Sequence, residues 1–296
     1  MIIRRSSSHL VRAVALATLV GVAGTGCSGL IVGTAADVMQ DMLVTVNDQR
    51  DPELVRDAIP AQLLQVEGIA ALSPGHVQME TLVAQSFCSY ALVFLMDENR
   101  QRAERIFAQG KEHAFLAMDG IDDEFTAIAT GGNGEAMAKL LDGLDADDVP
   151  TLFWTGNCWA GEINASGGSP RALAGLPKVE QMMRRALDLD ETYYFGGPHL
   201  FMGMYYASRP KLLGGDPEKS NEHFQRVFEI TEGKFLLAKV FYAQFYAKQV
   251  QDPKLFEATL EEVLAAPDDI LPGERLVTAV AKQKAEELLD QMDDLF

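Results

Sequence analysis

Apolar residues recur along the chain at spacings of three and four. Ala103, Ile106, Phe107, Gly110, Ala114 and Ala117 share one helical face; Val179, Met182, Met183, Ala186 and Leu187 share a second; Phe256, Thr259, Leu260 and Val263 share a third. Period-two alternation bounded by turn residues does not recur after residue 50, so strands are not expected. Three expected helices open on Asp-Pro, at Asp51-Pro52, Asp216-Pro217 and Asp252-Pro253. Asp is a good N-cap, and proline at the first helical position lacks only a donor that would be unpaired anyway. Between the one-faced helices lie segments apolar on more than one face: Gln85–Met96, Thr151–Ile163, His199–Ala207 and Phe235–Tyr246. A helix apolar most of the way round is sandwiched between neighbours. The expected architecture is all-α, built of stacked antiparallel helical hairpins.

Weak internal repeats accompany this pattern. Arg185-Ala186-Leu187-Asp188-Leu189 aligns with Arg226-Val227-Phe228-Glu229-Ile230, and Ala186-Leu187-Asp188-Leu189-Asp190 looks like the end of a tetratricopeptide repeat's second helix. The spacing drifts, so the expected solenoid is a degenerate, tetratricopeptide-like one. A Gly/Asp/Ala-rich insertion from Asp119 to Ala146 is expected to form short helices and loops between hairpins.

The first residues read as an address. Arg4, Arg5 and Arg12 flank and precede an apolar run, Ala13 to Gly24, that is too short for a comfortable membrane span. The run ends in Gly24-Thr25-Gly26-Cys27, where small residues before a cysteine look like a bacterial lipobox, with Gly24 standing where that motif usually has Leu. Residues 1–26 are expected to be a signal peptide, 27–50 a lipidated tether and lead-in helix, and 51–296 one helical domain. Lipidation is expected at Cys27, the alternative being an ordinary cleaved signal. Ser28 in the next position favours the outer membrane.

Charge narrows the partners. The 25 Lys+Arg against 43 Asp+Glu give −18, and loss of three arginines with residues 1–26 takes this to −21. Such a chain repels phosphate, which argues against nucleic acid and against adhesion to anionic lipid by charge. Cys88 and Cys158 sit in apolar stretches; they could pair in an oxidising compartment, but the simpler expectation is two separate buried thiols. His76, His113 and His223 are expected to be structural or surface residues. No HExxH pair, nucleophile elbow or Walker sequence occurs. Gly131-Gly132-Asn133-Gly134 is surrounded by acids and reads as a plain loop. No catalytic residue, metal site or cofactor is expected.

One stretch is unusual. Tyr193-Tyr194-Phe195-Gly196-Gly197-Pro198-His199 runs on through Leu200–Pro210 into Leu213-Gly214-Gly215-Asp216-Pro217, and then Gly233-Lys234-Phe235-Leu236-Leu237-Ala238-Lys239-Val240-Phe241-Tyr242-Ala243. Together with Leu152-Phe153-Trp154-Thr155-Gly156 and the lipoprotein-like start, it resembles the TatT family, the tetratricopeptide-like T components associated with TRAP transporters, over roughly residues 45–290. The resemblance implies a periplasmic, non-enzymatic, all-helical lipoprotein that forms a homotrimer. It also implies association with the substrate-binding P subunit of a tripartite importer, and a channel that hands over a small, partly hydrophobic organic ligand. The alternative is a generic cell-envelope tetratricopeptide adaptor; a lipid-anchored hydrolase would need a constellation that is not evident.

Within this reading the aromatic residues suggest a lining. Of the chain's 24 aromatic residues, 13 fall between 193 and 246. First helices of paired-helix repeats line the concave face. Trp154, Tyr194, His199, Tyr205, Arg209 and Tyr242 are therefore expected to border a partly apolar channel with a cationic end, Arg209 being the cation. Most aromatics would otherwise fill the core, and Arg209 could simply cap helix carbonyls.

Overall fold

The computed structural model describes residues 29–131 and 134–296. Residues 1–26 and Cys27 lie outside the described residues, as do Gly132 and Asn133. Among the described residues the fold is all-α, with no strand.

Helix α1 occupies Gly29–Asn47. It is followed by α2 (Pro52–Ala70), α3 (Val77–Tyr90), α4 (Arg100–Ile121), α5 (Phe125–Gly131), α6 (Gly134–Asp142) and α7 (Val149–Ala165). Then come α8 (Pro170–Leu173), α9 (Leu176–Leu189), α10 (Tyr193–Ala207), α11 (Pro217–Ile230), α12 (Leu236–Phe241), α13 (Pro253–Ala265), α14 (Arg275–Asp290) and α15 (Met292–Leu295). Two helices run on as single π-helical turns, α3 into Ala91–Leu95 and α12 into Tyr242–Ala247.

The three Asp-Pro starts behave as the sequence predicts. Asp51, Asp216 and Asp252 each accept backbone N–H bonds from the first turn, with proline at the head of α2, α11 and α13. The predicted faces of α4, α9 and α13 point inward, with only Ile106 and Leu187 partly exposed. The insertion forms α5 and α6. Buried Lys178 of α9 donates to the carbonyls of Ile128 (3.2 Å) and Ala129, where the last turn of α5 favours a cation.

Helix α4 packs between α3 and α7, α7 meets α9, and α10 pairs with α11. The α3–α4 approach is close because residue 110 is glycine; a methyl there would strike Cys88 Sγ and lie 3.1 Å from Phe87 Cβ. Cys88 and Cys158 are not separate thiols, as expected, but a disulfide joining α3 to α7, with Cα atoms 5.4 Å apart. Both helices flank α4, so both cysteines enter one interface, a juxtaposition that sequence spacing does not reveal.

Three apolar cores result rather than one. The first gathers α1–α4 with Cys158 and Ala165 of α7, the second the end of α4 with α5–α7, α9 and α10, the third α10–α14. The two ends of the described chain then meet. Asn47 Nδ2 donates to Glu274 Oε1 (3.2 Å), Arg275 pairs with Asp48, and Lys284 pairs with Asp97.

Helix α1 is long and apolar enough, by length and composition, to cross a membrane. In this structure Val32 and Ala36 are buried in the first core, while Ile31, Val38 and Met42 form an exposed apolar stripe.

Candidate functional site

The three cores do not merge, and the gap between them is a cavity of about 190 Å³. The first core contributes Leu63, Val66 and the π-turn residues Leu92 and Phe94, and Val93 of the same turn joins the wall. Phe153, Trp154 and Phe201 come from the second, and Leu200, Phe235, Leu237 and Phe241 from the third. Helix α14 closes one side through Glu274, Leu276, Val277 and Val280. An apolar void of about 150 Å³ is enough to hold a benzene-sized molecule, so this one has room for a small ligand. π-Helical turns are often found at functional sites, where they displace a stretch of wall.

The most unusual backbone in the chain lies at this cavity. Tyr194, Phe195 and Gly196 have φ of 48°, 60° and 73°, a complete left-handed turn at the head of α10. For L-residues that conformation costs about 1–2 kcal/mol each, and it persists only where surrounding contacts dictate it. Here Phe195 stacks on Phe235 at 4.9 Å, and Tyr194 meets Trp154 edge-on at 5.0 Å. The turn aims Tyr194 into the cavity, with its hydroxyl toward Ser89 and Glu274. Tyr194 is 40% accessible, but neighbouring protein still desolvates the phenol and pushes its pKa up.

Polar groups on the wall are few: the side chains of Asn47, Gln62, Gln85, Ser86, Ser89, Asn157 and Glu274, with the hydroxyls of Tyr90 and Tyr194 and the N–H of Trp154. Burial raises the Glu274 carboxyl above its ordinary pKa, and the Asp48 charge adds to this, against a hydrogen bond from Asn47. Among the described residues, no Lys, Arg or His lines the cavity. A second, smaller hollow of about 60 Å³ abuts it, sharing Val93, Phe94 and Val280. Its rim is charged: Glu53, Arg56, Asp97, Glu98, Lys284 and Glu287.

The six expected lining residues fall in separate places. Trp154 and Tyr194 line the cavity; His199, Tyr205, Arg209 and Tyr242 do not. Arg209 takes the capping role instead. Its Nε and Nη2 donate to the Tyr205 carbonyl at 3.2 Å, and its guanidinium lies 3.4 Å from the centre of the Tyr205 ring. The Tyr205 hydroxyl donates to Glu180; burial first, and then this bond, push its pKa up to about 12. Glu180 is held by Arg184 in turn, so the expected cationic end is a closed network on α9 and α10.

His199 forms another network, through Nδ1 to His223 Nδ1 (2.8 Å) and Nε2 to Glu191 Oε2 (2.9 Å). Arg226 also pairs with Glu191, and this bond, more than that of His199, lowers the carboxyl pKa to about 2. Burial, then the positive charge of its neighbours, lowers His223 to about 4. Tyr242 donates to Asn221 Oδ1 at 3.0 Å and packs among Phe224, Phe228 and Tyr246, as a core residue does. Helical spacing placed these side chains on shared faces, but two faces of α10 are buried, and only one of them borders the cavity. Ser89, Phe94 and Glu274 are wall residues that the sequence did not single out; the all-round apolar character of Gln85–Met96 was the one available signal for the first two.

Among the described residues, no group of three or more His, Cys, Asp or Glu comes together to hold a metal. An uncharacterized protein from Treponema pallidum (strain Nichols) is 23% identical over 274 residues, which is 86% of this chain and 84% of that protein. The family described as TRAP transporter T-component matches residues 48–296, a span that takes in every wall of the cavity except those supplied by α1. By that match, the chain belongs to the TRAP transporter T-component family.

Proposed function

We propose that this protein is a non-enzymatic periplasmic lipoprotein that serves a TRAP transporter by docking its substrate-binding P subunit and passing a small, partly hydrophobic ligand through the cavity between its three cores. Family membership supports association with a TRAP transporter. The observation that carries the ligand role is the cavity, with its apolar wall and a left-handed turn that directs Tyr194 into it. The Cys88–Cys158 disulfide supports an oxidising compartment. The paired helices suit a tetratricopeptide-like docking scaffold, and we read the functional unit as a homotrimer. Anchoring is assigned to a lipid on Cys27, at the outer membrane.

Co-purification from the native host tests the docking. The P subunit of a TRAP transporter should be retained by the full-length protein, and its absence under mild extraction would count against the assignment. Cys27→Ala should release the protein into the soluble periplasmic fraction, since stable anchoring needs more than one acyl chain. Undiminished membrane retention of that variant would remove the lipid anchor. Light scattering of the purified protein should give three times the chain mass.

A further inference from the structure

We propose that the cavity takes a small organic amine, with an apolar body against Phe153, Trp154 and Phe241 and a protonated nitrogen at Glu274. This rests on the reading of the cavity as a ligand site, and it deepens that reading by naming the head group.

The formal charge of the wall is one-sided, although its side-chain amides and the Trp154 indole add neutral donors. Glu274 is a carboxylate and, among the described residues, no lining residue carries positive charge, so a bound carboxylate would have no cation to meet. Burying an unpaired anion beside another is costly. An ammonium group reverses the sign of that cost. Glu274 is half-buried, and among the described residues the one side-chain hydrogen bond to it comes from Asn47 and goes to Oε1, which leaves Oε2 for a ligand. Arg275, next in sequence, is turned away to Asp48. Around Glu274 the polar wall adds oxygen acceptors, Ser89 and Tyr194, which a multi-donor ammonium can use. The carboxyl's raised pKa is what is expected of a buried acid that lacks its cation.

The abutting hollow carries the same net sign. In the abutting hollow, Arg56 is bound to Glu98 and Lys284 to Asp97. Glu53 and Glu287 remain, so the rim carries more carboxylates than cations. A rim of net negative charge raises the local concentration of cations. Arg209, the cation that would otherwise point to an organic acid, is outside the cavity and occupied.

The test uses the full chain carrying Cys27→Ala, so that no detergent competes, and three probes of one length: n-octylamine, n-octanol and octanoate. Binding is read by calorimetry and by the fluorescence of Trp154 in the wall. n-Octylamine should bind at least about tenfold more tightly than octanoate, the worth of one charge-assisted bond. Glu274→Gln, which keeps size and can keep the Asn47 contact, should weaken n-octylamine by about tenfold or more while n-octanol changes by less than about threefold. Tyr194→Phe should weaken n-octylamine by a smaller factor. Octanoate binding as tightly as n-octylamine, or Glu274→Gln leaving n-octylamine unchanged, would overturn the amine assignment alone. If none of the three binds, the ligand role falls with it. Docking of the P subunit is read separately by co-purification, so neither result is confounded with that one.

Discussion

His113 shows how much one side chain can hold. Glu80 is 2% accessible and is met by the Gly75 N–H at 3.1 Å and by His113 Nδ1 at 2.6 Å. Burial alone would lower the His113 pKa, but the bond and charge of Glu80, helped by Glu67, outweigh it and raise the pKa. The resulting stabilisation is complete below the ordinary value of 6.5 and fades as pH rises through the folded pKa. His113→Ala should therefore cost about 3 kcal/mol at pH 6, by leaving a buried carboxylate short of its partner, and less at pH 8.5. Urea unfolding at the two pH values measures the difference, and an equal cost at both would exclude the linkage. The histidine reads as structural in the sequence; its partner, 33 residues earlier, does not. Gly196 is the second residue of consequence. With φ of 73° and Ile230 Cδ1 only 3.1 Å from any added methyl, Gly196→Ala should destabilise by about 1–2 kcal/mol in the same assay. The sequence marks that stretch as unusual without showing why, because a left-handed turn has no periodicity to read.

Among the elements, the helices were legible and their junctions were not. Inward faces and Asp-Pro starts follow from spacing and from the chemistry of the first turn. Which helix abuts which depends on close approaches such as that at Gly110, which are set by three-dimensional fit. The disulfide is the clearest case. It joins cysteines separated by 70 residues, and closing so long a loop should stabilise by about 2–4 kcal/mol. Cys158→Ser, or reduction, should lower the thermal midpoint measurably; an unchanged midpoint under dithiothreitol would mean that the bond contributes nothing. The π-turn at Ala91–Leu95 is a second feature with no sequence signature. It sets Phe94 and Val93 between the cavity and the charged hollow. Phe94→Ala should speed association of a bound probe, by stopped-flow fluorescence, with little change in the fold.

For the whole molecule, helical class and family were readable, while the cavity was not, since it is bounded by residues from Leu43 to Val280. Five of the six expected lining residues belong to the aromatic-rich stretch and the sixth, Trp154, to α7; of the six, only Tyr194 and Trp154 border the cavity. The missing walls belong to the N-terminal helices and to α14, which are brought together by contacts of Asn47, Asp48 and Asp97 with Glu274, Arg275 and Lys284. That closure differs in kind from the opposite wall. Helices α3 and α7 are joined covalently, whereas the polar ties between α14 and the N-terminal part of the fold are the Asn47–Glu274 bond and the ion pairs Asp48–Arg275 and Asp97–Lys284, of which both acidic partners are more than a third accessible. Exposed pairs contribute little to equilibrium stability and are screened by salt over about 10 Å at 0.1 M. Arg275→Ala with Lys284→Ala should thus leave unfolding nearly unchanged but raise amide exchange in α14. The same asymmetry gives the protein a clasp and a spine: raising ionic strength should shorten the residence time of whatever the cavity holds, and it should do so by loosening one side only.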